Sequence, residues 1–247
     1  MPSIPLICIP FAGAGASFFH PWSALAGESL KIVALQPPGR EWKLLDEPYR
    51  DAAEAAAGLL PEALEQIERF REAGEIGDSG EVALFGHSLG AVLAYELGQL
   101  LAARDDVELV RIFVSGSPGP WTGRSDRATG LDDEEFLLRV QEFAGYSHEA
   151  LANAEMRELI LPILRADVEL HESYVPSTDD PLPVPITSLR GRTDELVTTE
   201  QAGEWSKATS GEFSLIEVDG GHMYLTEDTG GLLRLLEDQL SGRPARR

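Results

Sequence analysis

Cysteine is almost missing from this chain: among 247 residues only Cys8 is present. A single thiol cannot close an intramolecular disulfide, so the chain reads as one kept in a reducing compartment. Cys8 lies in the apolar run 4–9, where a buried small hydrophobe is expected rather than a reactive thiol. Basic residues are also scarce, 20 Lys and Arg against 42 Asp and Glu, giving a net charge of -22. That balance argues against nucleic acid and anionic membranes as partners, because both would repel it. No stretch reaches the roughly 18 apolar residues of a membrane span, and no basic segment followed by an apolar one marks a secretory signal. Gly-Lys-Ser/Thr and G-x-G-x-x-G patterns are absent, which leaves the nucleotide-binding reading weak. The expectation is a soluble, cytoplasmic protein.

What is present is a regular alternation. With 43% hydrophobic residues the chain can bury one large core, and α/β domains of this length often stay single. Short apolar runs at 6–10, 31–35, 81–85, 110–115, 186–190 and 213–218 alternate with helical patterns at 51–72, 88–103, 132–143, 155–174, 199–208 and 230–240. Such alternation is the mark of βαβ units and a mostly parallel sheet flanked by helices. The helix from 51 spaces Ala55, Leu59, Leu64, Ile67 and Phe70 as a core-facing stripe. One segment breaks the pattern. Between the strands ending near 115 and beginning near 186 the sequence holds helices and no evident strand, and the Pro-rich stretch 176–185 brings the chain back. An insertion there, about 122–180, would sit above the C-terminal edge of the sheet as a lid. The chain 1–247 is therefore expected to form one domain with a helical lid and a frayed basic tail.

Gly86-His87-Ser88-Leu89-Gly90 supplies the chemistry. It fits G-x-S-x-G, with a strand before and a helix after, the setting of a nucleophile elbow at Ser88. A serine hydroxyl needs a base, and the histidines are His20, His87, His148, His171 and His222. In this architecture the order is serine, acid, histidine, and of the histidines well after Ser88, His148 and His171 fall in the insertion, where surface or lid roles suit them better. His222, in a Gly-rich loop after the last strand, is the favoured base, while the side chain of His87 should point away from the serine. Asp194, just past the penultimate strand, is the favoured acid, with Asp167, Asp179 and Asp180 as rivals and Glu195 and Asp219 less well placed. Two backbone N–H groups should stabilise a tetrahedral intermediate: Leu89, after the nucleophile, and Ala12 in the small-residue loop after the first strand, with Phe11 and Gly13 as its neighbours in contention.

Several stretches together resemble one family. They are IPFAGAGAS at 9–17 followed by Phe19 and Trp22, QPPGRE at 36–41, the serine pentapeptide, LDDEEF at 131–136, LPILRAD at 161–167 and GGHMYL at 220–225. Over nearly its full length the chain resembles the type II thioesterases that accompany nonribosomal peptide and polyketide synthases. Ala14 and Leu89 depart from the usual Gly and Met, without removing a backbone donor. In the related integrated domains the acid commonly ends the strand after the nucleophile helix. Here Val114-Ser115-Gly116-Ser117-Pro118 has no carboxylate, which favours Asp194.

The resemblance implies an α/β-hydrolase fold and hydrolysis of acyl groups from the phosphopantetheine arm of an acyl or peptidyl carrier protein through an acyl-Ser88 intermediate. It implies no metal and no bound cofactor, since the pantetheine belongs to the substrate. A monomer is the default. Arg40, Lys43, Arg124 and Arg127 are candidates for docking an acidic carrier, and Phe143, Tyr146, Met156 and Tyr174 for lining an acyl pocket. A carboxylesterase or acyltransferase using the same triad, and a silent carrier-binding protein, are the alternative readings.

Overall fold

The computed structural model describes residues 3–76, 80–123, 127–144 and 153–242. Six strands form one sheet: β1 (Ile4–Ile9), β2 (Leu30–Ala34), β3 (Glu81–His87), β4 (Glu108–Ser115), β5 (Ile186–Gly191) and β6 (Phe213–Val218). Their order is β2-β1-β3-β4-β5-β6, and every neighbouring pair is parallel. All six expected strands are found, and the mostly parallel sheet is entirely parallel among the described residues. β3 runs two residues beyond its apolar pattern, and β4 begins two residues earlier than its own.

Helices cover both faces, as a parallel sheet requires. On one side α2 (Ala52–Glu72) and α3 (Leu89–Ala102) bury Ala55, Leu59, Ile67, Leu93 and Leu97 against Leu84 and Ile112. On the other, α1 (His20–Leu25) and α7 (Thr229–Leu240) pack Trp22, Leu233 and Leu236 against Phe85 and Phe113. Cys8 is fully buried on that side, and burial pushes its thiol pKa well up, so it behaves as the small hydrophobe expected. The stripe on α2 starts cleanly because Asp51 caps it, its carboxylate accepting the Glu54 N–H at 2.9 Å. Between β4 and β5 lie α4 (Asp133–Ala144) and α5 (Ala154–Ser173), which bury Phe136, Leu161 and Leu164 in a separate small cluster.

Two local expectations differ from the structure. The helix expected over 199–208 is a short α6 (Thr199–Gly203) continued as a 3-10 turn, Glu204–Ala208, that buries Trp205. A 3-10 turn at Ala16–Phe19 and α1 stand where the sequence shows no helical pattern, because runs of four and six residues are too short to display a helical period. No described helix is long and apolar enough to cross a membrane. The tail beyond 242 lies outside the described residues.

Strand order fixes where chemistry can occur. From β1 the chain turns outward to β2, whereas from β3 it turns the other way to β4. Loops leaving neighbouring strands therefore diverge, and a crevice opens at their C-terminal ends. Ala12 follows β1 and Ser88 follows β3, so both lie at that crevice.

Candidate active site

Ser88 lies between β3 and α3 as the helix N-cap, with φ 53° and ψ -116°, a region a non-glycine residue occupies only under constraint. Packing supplies the constraint. A Cβ on Gly86 would overlap the carbonyl of Gly90, and one on Gly90 the carbonyl of Ile9, so β3, α3 and the end of β1 can close this tightly only with glycine at both ends of the pentapeptide. The Ser88 N–H is tied to the Ser115 carbonyl on β4 at 2.8 Å. The turn raises the serine hydroxyl into a cleft that Phe11, Ala12 and His222 also line.

His222 and Asp194 meet across the ends of β6 and β5. Nδ1 of His222 donates to Asp194 Oδ2 at 2.9 Å, and the Asp194 side chain is fully buried. Its other oxygen accepts the N–H groups of Leu196 at 2.8 Å and Val197 at 3.1 Å. Burial pushes the Asp194 pKa up. The His222 hydrogen bond and charge, with those two N–H groups, outweigh it and leave the carboxyl below the usual carboxylate range. With Nδ1 committed as donor, neutral His222 keeps its lone pair on Nε2. The set can take a proton from a hydroxyl in the cleft and hold the resulting imidazolium against an ionised carboxylate.

The rival acids are placed elsewhere. Asp167 is held by Arg40, Asp179 accepts from the Trp121 indole, and Asp219 pairs with Arg192, while Asp180 and Glu195 are exposed. His20 is exposed and His148 lies outside the described residues. His171 is buried and lines the same cleft, on the wall formed by α5.

The two expected oxyanion donors follow β3 and β1, which are neighbours in the sheet. Leu89 is the first residue of α3, so its N–H has no intrahelical acceptor. Of the three positions in contention on the β1 loop, Gly13 is already engaged: its N–H donates to Asp167 Oδ2 at 2.7 Å. Ala12 lines the cleft, and its N–H makes no hydrogen bond among the described residues.

A second histidine was not foreseen in its actual role. His87 is fully buried and bonded through Nδ1 to Ser115 Oγ at 2.8 Å, which in turn contacts Tyr224 OH at 2.6 Å. Its ring lies against that of His222, with centroids 4.8 Å apart. A Cβ on Gly116 would come within 2.5 Å of His87 and 3.1 Å of His222, so the two imidazoles can approach only because position 116 is bare. Burial, with the nearby His222 and His171, drives the His87 pKa well below the ordinary histidine value and keeps the ring neutral. The adjacency of positions 87 and 88 was legible; the fold that brings 222 against 87 was not.

Two surface expectations fail. Arg40 is not available for docking, because it is buried in a bidentate pair with Asp167 at 2.7 and 2.8 Å. Lys43 is taken up by Glu62 and the Gln36 carbonyl, whereas Arg127 is exposed and Arg124 lies outside the described residues. Among the acyl-pocket candidates, Met156 is exposed and Tyr174 donates to buried Glu96 at 2.7 Å. The Phe143 side chain and Tyr146 lie outside the described residues. The cleft walls come instead from Val140 on α4, Leu164 and Val168 on α5, and Leu196 and Met223 on the β5 and β6 loops. Among the described residues no group of three His, Cys, Asp or Glu could hold a metal ion.

Comparison with known proteins agrees with this architecture. A family model described as Thioesterase domain matches residues 4–240. The chain is 30% identical over 236 residues to the gramicidin S biosynthesis protein GrsT of Aneurinibacillus migulanus, covering 95% of this chain and 88% of that one. It is 31% identical over 238 residues to thioesterase PikA5 of Streptomyces venezuelae, covering 96% and 81%. Among solved structures, the type II thioesterase BorB from the borrelidin biosynthetic cluster superposes with a TM-score of 0.83 at 32% identity, covering 96% and 93%.

Proposed function

Because this chain belongs to the thioesterase family, among the type II thioesterases of nonribosomal peptide and polyketide pathways, we propose that it hydrolyses acyl thioesters carried on phosphopantetheine arms. The substrate is an acyl or peptidyl carrier protein, and the activity clears acyl groups that stall an assembly line. The observation that carries this reading is the shared cleft. Ser88, on its strained turn, opens into the same space as His222, whose Nδ1 is committed to buried Asp194.

In the first half-reaction Ser88 Oγ attacks the thioester carbonyl as its proton passes to His222 Nε2. The oxyanion is received by the N–H groups of Ala12 and Leu89. The C–S bond breaks and the pantetheine thiol leaves with the proton from His222. A thiol leaves readily, so this step asks less of the acid than amide cleavage would. Water then attacks acyl-Ser88, giving its proton to His222. The C–O bond breaks, Ser88 Oγ recovers that proton, and the free acid departs. No metal or cofactor enters. Helices α4 and α5 serve as the lid of a single domain, and their apolar side chains in the cleft receive the acyl group. The protein works as a cytoplasmic monomer that meets its carrier in solution.

Release of free thiol from short- and medium-chain acyl-carrier protein tests the reading, with Ser88→Ala in parallel. Prompt release by the wild type and a loss of about 10³-fold or more in the variant are expected. Equal release by both proteins, or turnover confined to simple oxygen esters, would sink it and leave the esterase or binding alternatives.

A further inference from the structure

Helix α5 touches the β1 loop twice at a single residue. Asp167 Oδ2 accepts the Gly13 N–H at 2.7 Å, and a Cβ on Gly13 would lie 3.0 Å from Leu164 Cδ1. Arg40, from the segment after β2, closes the third side. It grips both carboxylate oxygens of Asp167 and donates through Nη1 to the Ala14 carbonyl at 3.0 Å. Gln36 completes the frame, its side-chain oxygen accepting the Ala16 N–H at 3.0 Å while its amide donates to the Pro37 and Arg40 carbonyls. The loop residues on the C-terminal side of Ala12 are thus fixed by charged groups from two other segments.

We propose that Arg40 and Asp167 are positioning residues that register the Ala12 donor of the oxyanion site to the helix forming the acyl wall. The inference rests on the thioesterase reading above, and on three observations. The first is that the ion pair ends on the Gly13 and Ala14 peptide groups, beside Ala12, and not on another side chain. The second is helical phase: Asp167 is flanked by Leu164 and Val168, which line the cleft, with His171 one turn further on the same wall. Displacing α5 to admit a bulky acyl chain therefore moves the carboxylate that holds Gly13. The third is energetic. A buried ion pair gains little net stability over a well-packed apolar pair, so a bidentate pair placed here is better explained by the geometry it enforces. Oxyanion donors act only within a few tenths of an ångström of their working distance, which makes the β1 loop the place where such geometry tells.

Two variants separate positioning from folding. Asp167→Asn keeps the shape and removes the charge. Arg40→Met combined with Asp167→Leu removes both charges together, so that no unpaired ion is left to unfold the chain. The readouts are kcat and KM for thiol release, normalised to folded enzyme by circular dichroism, and the rate at which an alkyl fluorophosphonate labels Ser88. Both variants are expected to lose about 10- to 100-fold in kcat, with KM within about threefold of wild type and phosphonylation slowed in step. Wild-type kcat per folded molecule in the double variant would overturn the proposal, as would a loss confined to KM. Failure of the underlying reading looks different: the wild-type enzyme itself would release no Ser88-dependent thiol.

Discussion

Asp194 and Asp167 are buried to nearly the same degree, 4% and 5% exposed; Asp194 accepts two backbone N–H groups and Asp167 one, and each also faces a cationic or potentially cationic partner. They differ in that partner. Asp167 faces an arginine, which is charged at every accessible pH, so its pair is permanent and can only hold things in place. Asp194 faces a histidine, whose charge is conditional, so its pair strengthens only when His222 has taken a proton. Two carboxylates of equal burial thus become a strut and a switch because of the side chain opposite.

Removing the acid at each site should break the symmetry most widely. Asp194→Asn would keep the Leu196 and Val197 bonds but present an N–H₂ to His222 Nδ1, fixing the wrong tautomer. Steady-state kinetics should show kcat down about 10³- to 10⁴-fold, with the thermal midpoint nearly unmoved. Asp167→Ala, which strands a buried guanidinium, should instead cost about 3–5 kcal/mol in denaturant titrations. Similar stability losses at both sites would erase the distinction between strut and switch.

A smaller effect sharpens the conditional side of the comparison. His87 has a folded-state pKa well below its unfolded value, so on acidification the unfolded chain takes up the proton first. Stability should therefore fall as pH drops below about 6.5, with His87 contributing up to about 1.4 kcal/mol per pH unit. Urea titrations of wild type and His87→Gln across pH 7.5 to 5 should show the variant with the flatter dependence. Parallel slopes would mean that the His87 ring is not held neutral. Smallest of all, Ser88→Gly should abolish activity yet raise stability by about 1 kcal/mol, because glycine adopts the Ser88 backbone without strain. A thermal midpoint at or below that of wild type would show the turn to be unstrained.

The chain announced its switch far better than its strut. Ser88 is marked by a local pattern, and Asp194 and His222 each follow a strand whose apolar run is readable, so strand order alone predicts that they converge. Arg40 and Asp167 stand 127 residues apart, and neither position bears a local sign of burial. Read singly, an arginine after a Pro-Pro-Gly turn belongs on the surface, and an aspartate in a helix belongs on its polar face. Only tertiary packing puts them together, and the same is true of the His87–His222 contact. The split of 199–208 is hidden for a different reason: an apolar stripe does not encode the change of pitch from α6 to the 3-10 turn that carries buried Trp205.

Ser88, His222 and Asp194 follow strand ends, whereas much of the apolar wall belongs to the separate segment between β4 and β5. Under the proposed thioesterase reading, mutational drift along most of that segment retunes which acyl chain is welcomed while leaving Ser88, His222 and Asp194 undisturbed. Residue 167 is where this independence ends. A chain that borrowed its α5 from a relative would inherit, with the new wall, a new setting of the loop that carries Ala12. Exchanges of specificity should therefore succeed when positions 40 and 167 travel together, and falter when the helix moves alone.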